Sequence, residues 1–303
     1  MQLNYFRLLL IGIPLVLTFL ALEIFLRILG IGSPNIFITK NEIPFKKAHS
    51  ILINKKENYN IAKFNNFGFH DFDRENNNNK YRIALIGDSF VEGLQVPRDS
   101  LFSTILNERI YHKNNLEFIP FGISGTGTAY HYKLWKDFIR NEIRIDHVIL
   151  VFFLDNDLSD NHEKLVSIPY ENSLYLNANG EIYKNLVKTS YVKDLVRFTR
   201  QYSAIINLIY ERLHILKRSF KKKSTNELVN QINNMQEEKY NLINEKEKFW
   251  EESIIGTINL ISNWEKEVSK ERVEFSLILF NNKINNKNED LFIKKISEIS
   301  NDS

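Results

Sequence analysis

The chain has 303 residues, 43% of them hydrophobic and 25% charged, a globular composition with room for one sizeable core plus attachments. Forty basic residues against 37 acidic ones leave +3, so no global field points to nucleic acid as a partner. The absence of cysteine removes disulfides, thiol catalysis and cysteine-ligated zinc together.

In chain order, the first expected element is a membrane anchor over residues 1–32. "LLLIGIPLVLTFLAL" (8–22) carries no charge, and "EIFLRILGIG" prolongs the apolar stretch to Gly32. Tyr5 to Leu29 spans a hydrocarbon layer if Glu23 and Arg27 sit at an interface, where Arg27 can snorkel along its own stem. "RILGIGSPN" offers no A-x-A pattern, so an uncleaved single-pass anchor is expected rather than a removed signal peptide. Arg7 precedes the segment, while Lys40, Lys46 and Lys47 follow at a distance; the main domain is expected outside the cytoplasm.

Residues 33–80 read as a connector, broken by Pro34 and Pro44 and ending in the polar run "DRENNNNK". Residues 81–303 read as the main domain. "RIALIG" is a short continuous apolar run, as in a strand buried on both faces. "SLFSTILNERIYH" (100–112) has helical spacing, "LEFIPFG" (116–122) is a second strand, "AYHYKLWKDFIRNEI" (129–143) a second helix and "HVILVFFL" (147–154) a third strand. This alternation predicts an α/β fold: a flavodoxin-like parallel sheet with right-handed crossovers and helices on both faces. Residues 162–245 then read as a mostly helical insertion. It opens with a hairpin turning at Asn179-Gly180 and continues in an amphipathic stretch (191–216) expected to pack as a lid on the domain. Further on, Ser224 and Glu227 have capping-box spacing. An amphipathic helix (250–268) leads into a fourth strand, "VEFSLILF" (273–280), whose outer edge is left unpaired.

The three early strands end in "GDSF", "GISGTGT" and "DNDLSDN". Ligands of such sheets bind beyond the carboxyl ends of the strands, so these three loops form the candidate site. Ser89, directly after a buried strand and at the start of a helix, is placed to act as a nucleophile, with the helix's free N–H groups favouring negative charge nearby. Gly87 permits the sharp turn and Gly93 a close passage. The G-x-S-x-G elbow does not fit, because Val91 stands at its final glycine. The amide of Ser89, an amide from the glycine-rich second loop and the side-chain amide of Asn156 together supply the donors that a tetrahedral oxyanion needs.

These residues resemble blocks I, II and III of the SGNH (GDSL-type) hydrolase superfamily: "GDSF" with Gly93, "GISG" and "DND", in that order. The resemblance covers about residues 60–161, with "NNFGFHDFD" similar to the lead-in of membrane-anchored members. It implies Ser89 as nucleophile, with Gly125 and Asn156 completing the oxyanion hole and Asp88 holding the turn. It implies a serine esterase or O-acyltransferase acting on acyl esters of extracytoplasmic glycans or lipids, without metal or organic cofactor. Two features depart from the family. Leu154 replaces a glycine in block III, and the D-x-x-H block that supplies the base is missing, since none of the seven histidines follows the fourth strand. Three explanations stand, in this order: a C-terminally incomplete chain, a non-catalytic membrane-tethered binding or assembly protein, and a migrated base, for which His162 is the candidate. Two other motifs fail. "DNDLSD" lacks the glycine and glutamate of a calcium loop, and "GISGTGTA" lacks the lysine of a phosphate loop. The basic run "KRSFKKK" reads as a solvated helix end.

Overall fold

A computed structural model of the chain describes residues 2–29, 31, 36–40, 42–54, 58–75, 79–154, 156–166, 173–184, 191–200, 202–213, 215–216, 236–281 and 287–301. "KRSFKKK", the Ser224/Glu227 box and Asp155 lie outside these residues. The chain forms two compact units, one of residues 1–36 with 188–236 and one of residues 37–187 with 237–303.

The first unit contains α1 (Gln2–Ile28), whose segment Leu10–Ile28 is long and apolar enough to cross a membrane. Its side chains are almost all exposed, unlike those of a core helix. The same unit holds the helix Tyr191–Arg200 and helical residues 204–213.

The larger unit begins with two antiparallel hairpins, β1 (Phe37–Lys40) with β2 (Ile43–Lys46) and β3 (Ile51–Asn54) with β4 (Asn60–Lys63). Next come β5 (Tyr81–Gly87), the one-turn α2 (Ser89–Glu92), α3 (Phe102–Asn114) and β6 (Leu116–Gly122). Then α4 (Thr128–Leu134) runs through a π-helical turn, Trp135–Ile139, and leads to β7 (His147–Phe153). A small hairpin follows, β8 (Leu174–Leu176) with β9 (Ile182–Lys184), turning at Gly180 with φ +78°. The long helix Gln236–Lys270, β10 (Glu274–Phe280) and the helix Lys287–Asn301 complete the unit.

Four strands make one parallel sheet in the order β10-β7-β5-β6. Side chains alternate across a pleated strand, and the two faces are covered separately. Ala84, Ile86, Phe121 and Leu150 join Trp135, Trp264 and Phe292 in the main core. Ile83, Leu85, Phe118 and Val151 meet Val91 and Leu106 on the opposite face. Helices therefore flank the sheet on both sides, the α/β arrangement that the alternating pattern predicts. Pro120 is tolerated inside β6 because, among the described residues, that strand is an edge.

Two expectations about the chain's division need correction. The presumed connector carries the two hairpins, and its Ile43, Phe45 and Phe69 are buried in the main core, Phe69 edge-on to Phe121 at 5.0 Å. Strands of four residues are too short to print a readable period. The insertion, for its part, is not one body. Its hairpin belongs to the larger unit, where a side chain on Gly180 would lie 2.7 Å from the backbone of Leu260. Residues 188–236 group instead with the N-terminal helix. Within the smaller unit, Val192, Leu195, Phe198, Ile209 and Leu213 are exposed, and the packed members of this stretch, Ala204 and Ile205, meet Leu26.

Candidate active site

Strand register sets the level of the site. Gly87 at the end of β5 pairs with Gly122 of β6 on one side and Val151 of β7 on the other, so three chains leave the sheet side by side. Both glycines are required by close approach. A Cβ on Gly87 would sit 2.8 Å from the Val151 carbonyl oxygen, and one on Gly122 would sit 2.1 Å from the Glu92 nitrogen. The short helix α2 lies directly over the sheet's end for that reason.

Asp88 caps α2: its Oδ1 accepts from the Phe90 amide at 2.9 Å. Gly93 closes the other end with φ +59°, its amide donating to the Ser89 carbonyl at 2.9 Å. Ser89 is half-buried and donates to Asp88 Oδ2 at 3.4 Å. Asn156, after β7, donates its side-chain amide to the same Asp88 oxygen at 3.1 Å. One carboxylate thus joins the ends of β5 and β7. Burial pushes the Asp88 carboxyl upward, against the bonds from Phe90, Asn156 and Ser89.

The loop after β6 is tied to the other end of α2. Glu92 is buried, ion-paired with buried Lys46 of β2, and accepts from the Ser124 amide at 2.9 Å and from the Ser124 hydroxyl. Ile123 donates to the Gly87 carbonyl at 3.1 Å. Thr126 Oγ1 donates to the Ile123 carbonyl at 2.6 Å, so the 3.2 Å contact between His131 Nε2 and that hydroxyl has the imidazole as donor. Burial lowers His131 to about 3, which keeps it neutral in this role. Gly125, between these anchors, is exposed with φ +73°, a conformation that suits glycine. His70 of the "NNFGFHDFD" segment contacts the Glu92 carbonyl through Nδ1 at 3.1 Å, so the lead-in also braces α2.

Sequence reasoning missed Lys46, Glu92 and Gly122. Gly122 carried a signal, a glycine closing an apolar strand opposite Gly87; the other two carried none, because an ion pair between residues 46 apart has no local pattern.

Two further carboxyls stand near Asp88. Asp157 is fully buried, its Oδ2 accepting from the Phe153 amide at 2.8 Å; burial and the charge of Asp88 push it well above the usual range. The same causes raise Asp160 to about 6. Beside Ser89, the rings of Phe90, Phe153 and Phe280 cluster with centroids 4.3, 5.0 and 5.3 Å apart, and Phe90 and Phe280 are exposed.

His162 has partners other than Ser89. Its Nδ1 accepts from the Lys164 amide at 3.2 Å, so Nε2 carries the proton and donates to Glu252 at 3.3 Å, with the ring stacked on Phe249. Both ring nitrogens are engaged. Among the described residues no group of three or more His, Asp or Glu side chains is arranged to hold a metal ion.

No protein-family model and no curated protein sequence matches the chain. Among solved structures, the crystal structure of AlinE4, an SGNH-hydrolase family esterase, is similar to this chain at 23% identity and a TM-score of 0.24. The likeness covers 26% of this chain and 42% of that esterase, so the chain spans less than half of its length.

Proposed function

We propose that this chain is a membrane-tethered SGNH-type serine esterase or O-acyltransferase unit, with its larger unit outside the cytoplasm and acyl esters of glycans or lipids as substrates. The observation that carries the reading is the shared oxygen of Asp88, which aims the Ser89 hydroxyl and the Asn156 amide from two different strand ends. A side-chain amide has two N–H donors. Asp88 takes one from Asn156, and the other is available to a substrate oxygen, together with the amide of Gly125. Such donors are worth most where negative charge develops. The aromatic cluster of Phe90, Phe153 and Phe280 offers an apolar seat for the acyl group.

In the proposed step, Ser89 Oγ bonds to the acyl carbon and the ester's alkoxy C–O bond breaks. The hydroxyl proton passes by way of Asp88 to the departing alkoxide. Water, or an acceptor hydroxyl, then attacks the acyl carbon, the Ser89 Oγ–acyl bond breaks, and the attacker's proton returns by way of Asp88 to Ser89 Oγ. A carboxylate is a weaker base than imidazole, so serine activation is poor and turnover slow.

A second reading, an ester-binding subunit without turnover, is favoured by the engagement of His162 with Glu252. Both are tested on the full chain in detergent with p-nitrophenyl acetate and a fluorophosphonate probe. The expected result is slow hydrolysis and weak labelling of Ser89, both lost in Ser89→Ala, with Asn156→Ala slower by roughly 100- to 1,000-fold. Equal rates for the parent chain and Ser89→Ala would leave the binding reading. Rapid labelling abolished by His162→Ala would instead make that histidine the base.

A further inference from the structure

The apolar helix α1 contains two charged residues near its end, and both are used within its own unit. Glu23 accepts from the Ala204 amide at 2.8 Å, the Ile205 amide at 3.2 Å and the Ser203 hydroxyl at 3.0 Å, so it caps helical residues 204–213 from another segment. Arg27 pairs with Glu23 at 2.7 Å and donates to the Tyr202 carbonyl at 2.5 Å. Leu26 packs on Ala204 and Ile205. The preceding helix, Tyr191–Arg200, is held to the second by Arg200, which bonds Asn207 at 2.8 Å and lies over the Tyr210 ring at 3.8 Å.

The clamp fixes a depth. Glu23 precedes Ile28, the last residue of α1, by five positions, which at 1.5 Å per residue is about 7–8 Å. If α1 crosses a bilayer, the turn at Ser203 lies at the level where amphipathic helices rest, about 5–10 Å into the headgroup and acyl boundary. The second observation is what these two helices leave bare. Tyr191, Leu195 and Phe198 are 82, 51 and 58% exposed and their spacing lines one side of the first helix, and Tyr202 in the following turn is 62% exposed. Ile209 and Leu213 form a matching stripe, 53 and 60% exposed, on the second. Tyrosines at this level fit the aromatic belt of a membrane boundary.

We propose that the helices Tyr191–Arg200 and 204–213 are seated in the interfacial layer of the bilayer that α1 crosses, with Leu195, Phe198, Ile209 and Leu213 against acyl chains. The partner is the lipid surface itself. The proposal rests on the membrane-spanning reading of α1 and adds a second contact, which stops the anchor from rotating freely about its axis.

The chain has no native cysteine, so single labels are unambiguous. Four variants of the full chain, Leu195→Cys, Leu213→Cys, Glu211→Cys and Leu17→Cys, are labelled with bimane in phosphatidylcholine nanodiscs. Quenching by acyl-chain nitroxide lipids and by aqueous iodide is then compared. The expected result is strong lipid quenching at positions 17, 195 and 213, and iodide quenching at least twofold greater at 211 than at 195 or 213. Lipid quenching at 17 alone, with 195 and 213 open to iodide or shielded from both quenchers by a second copy or another protein, overturns the interfacial seat and leaves the anchor standing. No lipid quenching at 17 overturns the anchor reading itself.

Discussion

Glu92 is buried at the end of a single helical turn, and its carboxylate serves two partners, Lys46 and Ser124. Burying two charges is costly, and their attraction offsets that cost only while both remain. Glu92→Gln or Lys46→Met alone is therefore expected to cost about 3–5 kcal/mol in denaturant unfolding, with the double variant recovering much of it. Because Glu92 also positions the loop carrying Gly125, Glu92→Gln should lower Ser89 labelling even at temperatures where it is folded, a loss that the stability recovery of the double variant does not repair. Asp160 gives a pH test. Its folded-state value of about 6 lies above the ordinary 3.8, so the folded form holds the proton more tightly. The stability this brings is complete below 3.8 and is lost as pH rises through about 6. Asp160→Asn, neutral throughout, should melt like the parent chain near about pH 4 and be more stable near about pH 8, by an amount on the order of 1–3 kcal/mol.

At the scale of elements, the site is the result of three strands ending level and one turn of helix pressed on their ends. The sheet's strands and α3 were readable because buried parallel strands are uniformly apolar and the helix keeps its own period. Ser89 was readable as the helix start directly after a buried strand, and Asn156 as a residue beyond a strand's end. The Asp88 bridge between them was not, since Asp88 read as a residue that holds the turn, and its second oxygen bonds Asn156, 68 residues further along. The hairpins β1–β2 and β3–β4 were hidden by their length, and the break at Ser203 by a partner in α1. β10 closes one side of the sheet and, among the described residues, pairs with β7 alone. Its Ile278 and Phe280 are 48 and 40% exposed. Such an edge recruits other strands. Sedimentation velocity of the chain in detergent should show concentration-dependent association, reduced by Ile278→Lys; a monomer at all concentrations would mean that the edge is protected.

Taken whole, the molecule divides its labour between two units built from interleaved stretches of one chain. The larger carries the sheet, both core faces and the candidate chemistry; the smaller carries the apolar helix and the pair of amphipathic helices. The sequence order is therefore not the order of assembly. Glu23 leaves the ribosome early, yet the amide of Ala204 that it must receive lies 181 positions later. At 5–20 residues per second, synthesis of the intervening chain lasts roughly 10–40 s. Throughout that interval the Glu23 carboxylate has Arg27 as its companion from the same helix. Completion of the smaller unit is thus timed by translation of a segment far downstream, and slowing the ribosome between the two should lengthen the life of a half-built intermediate.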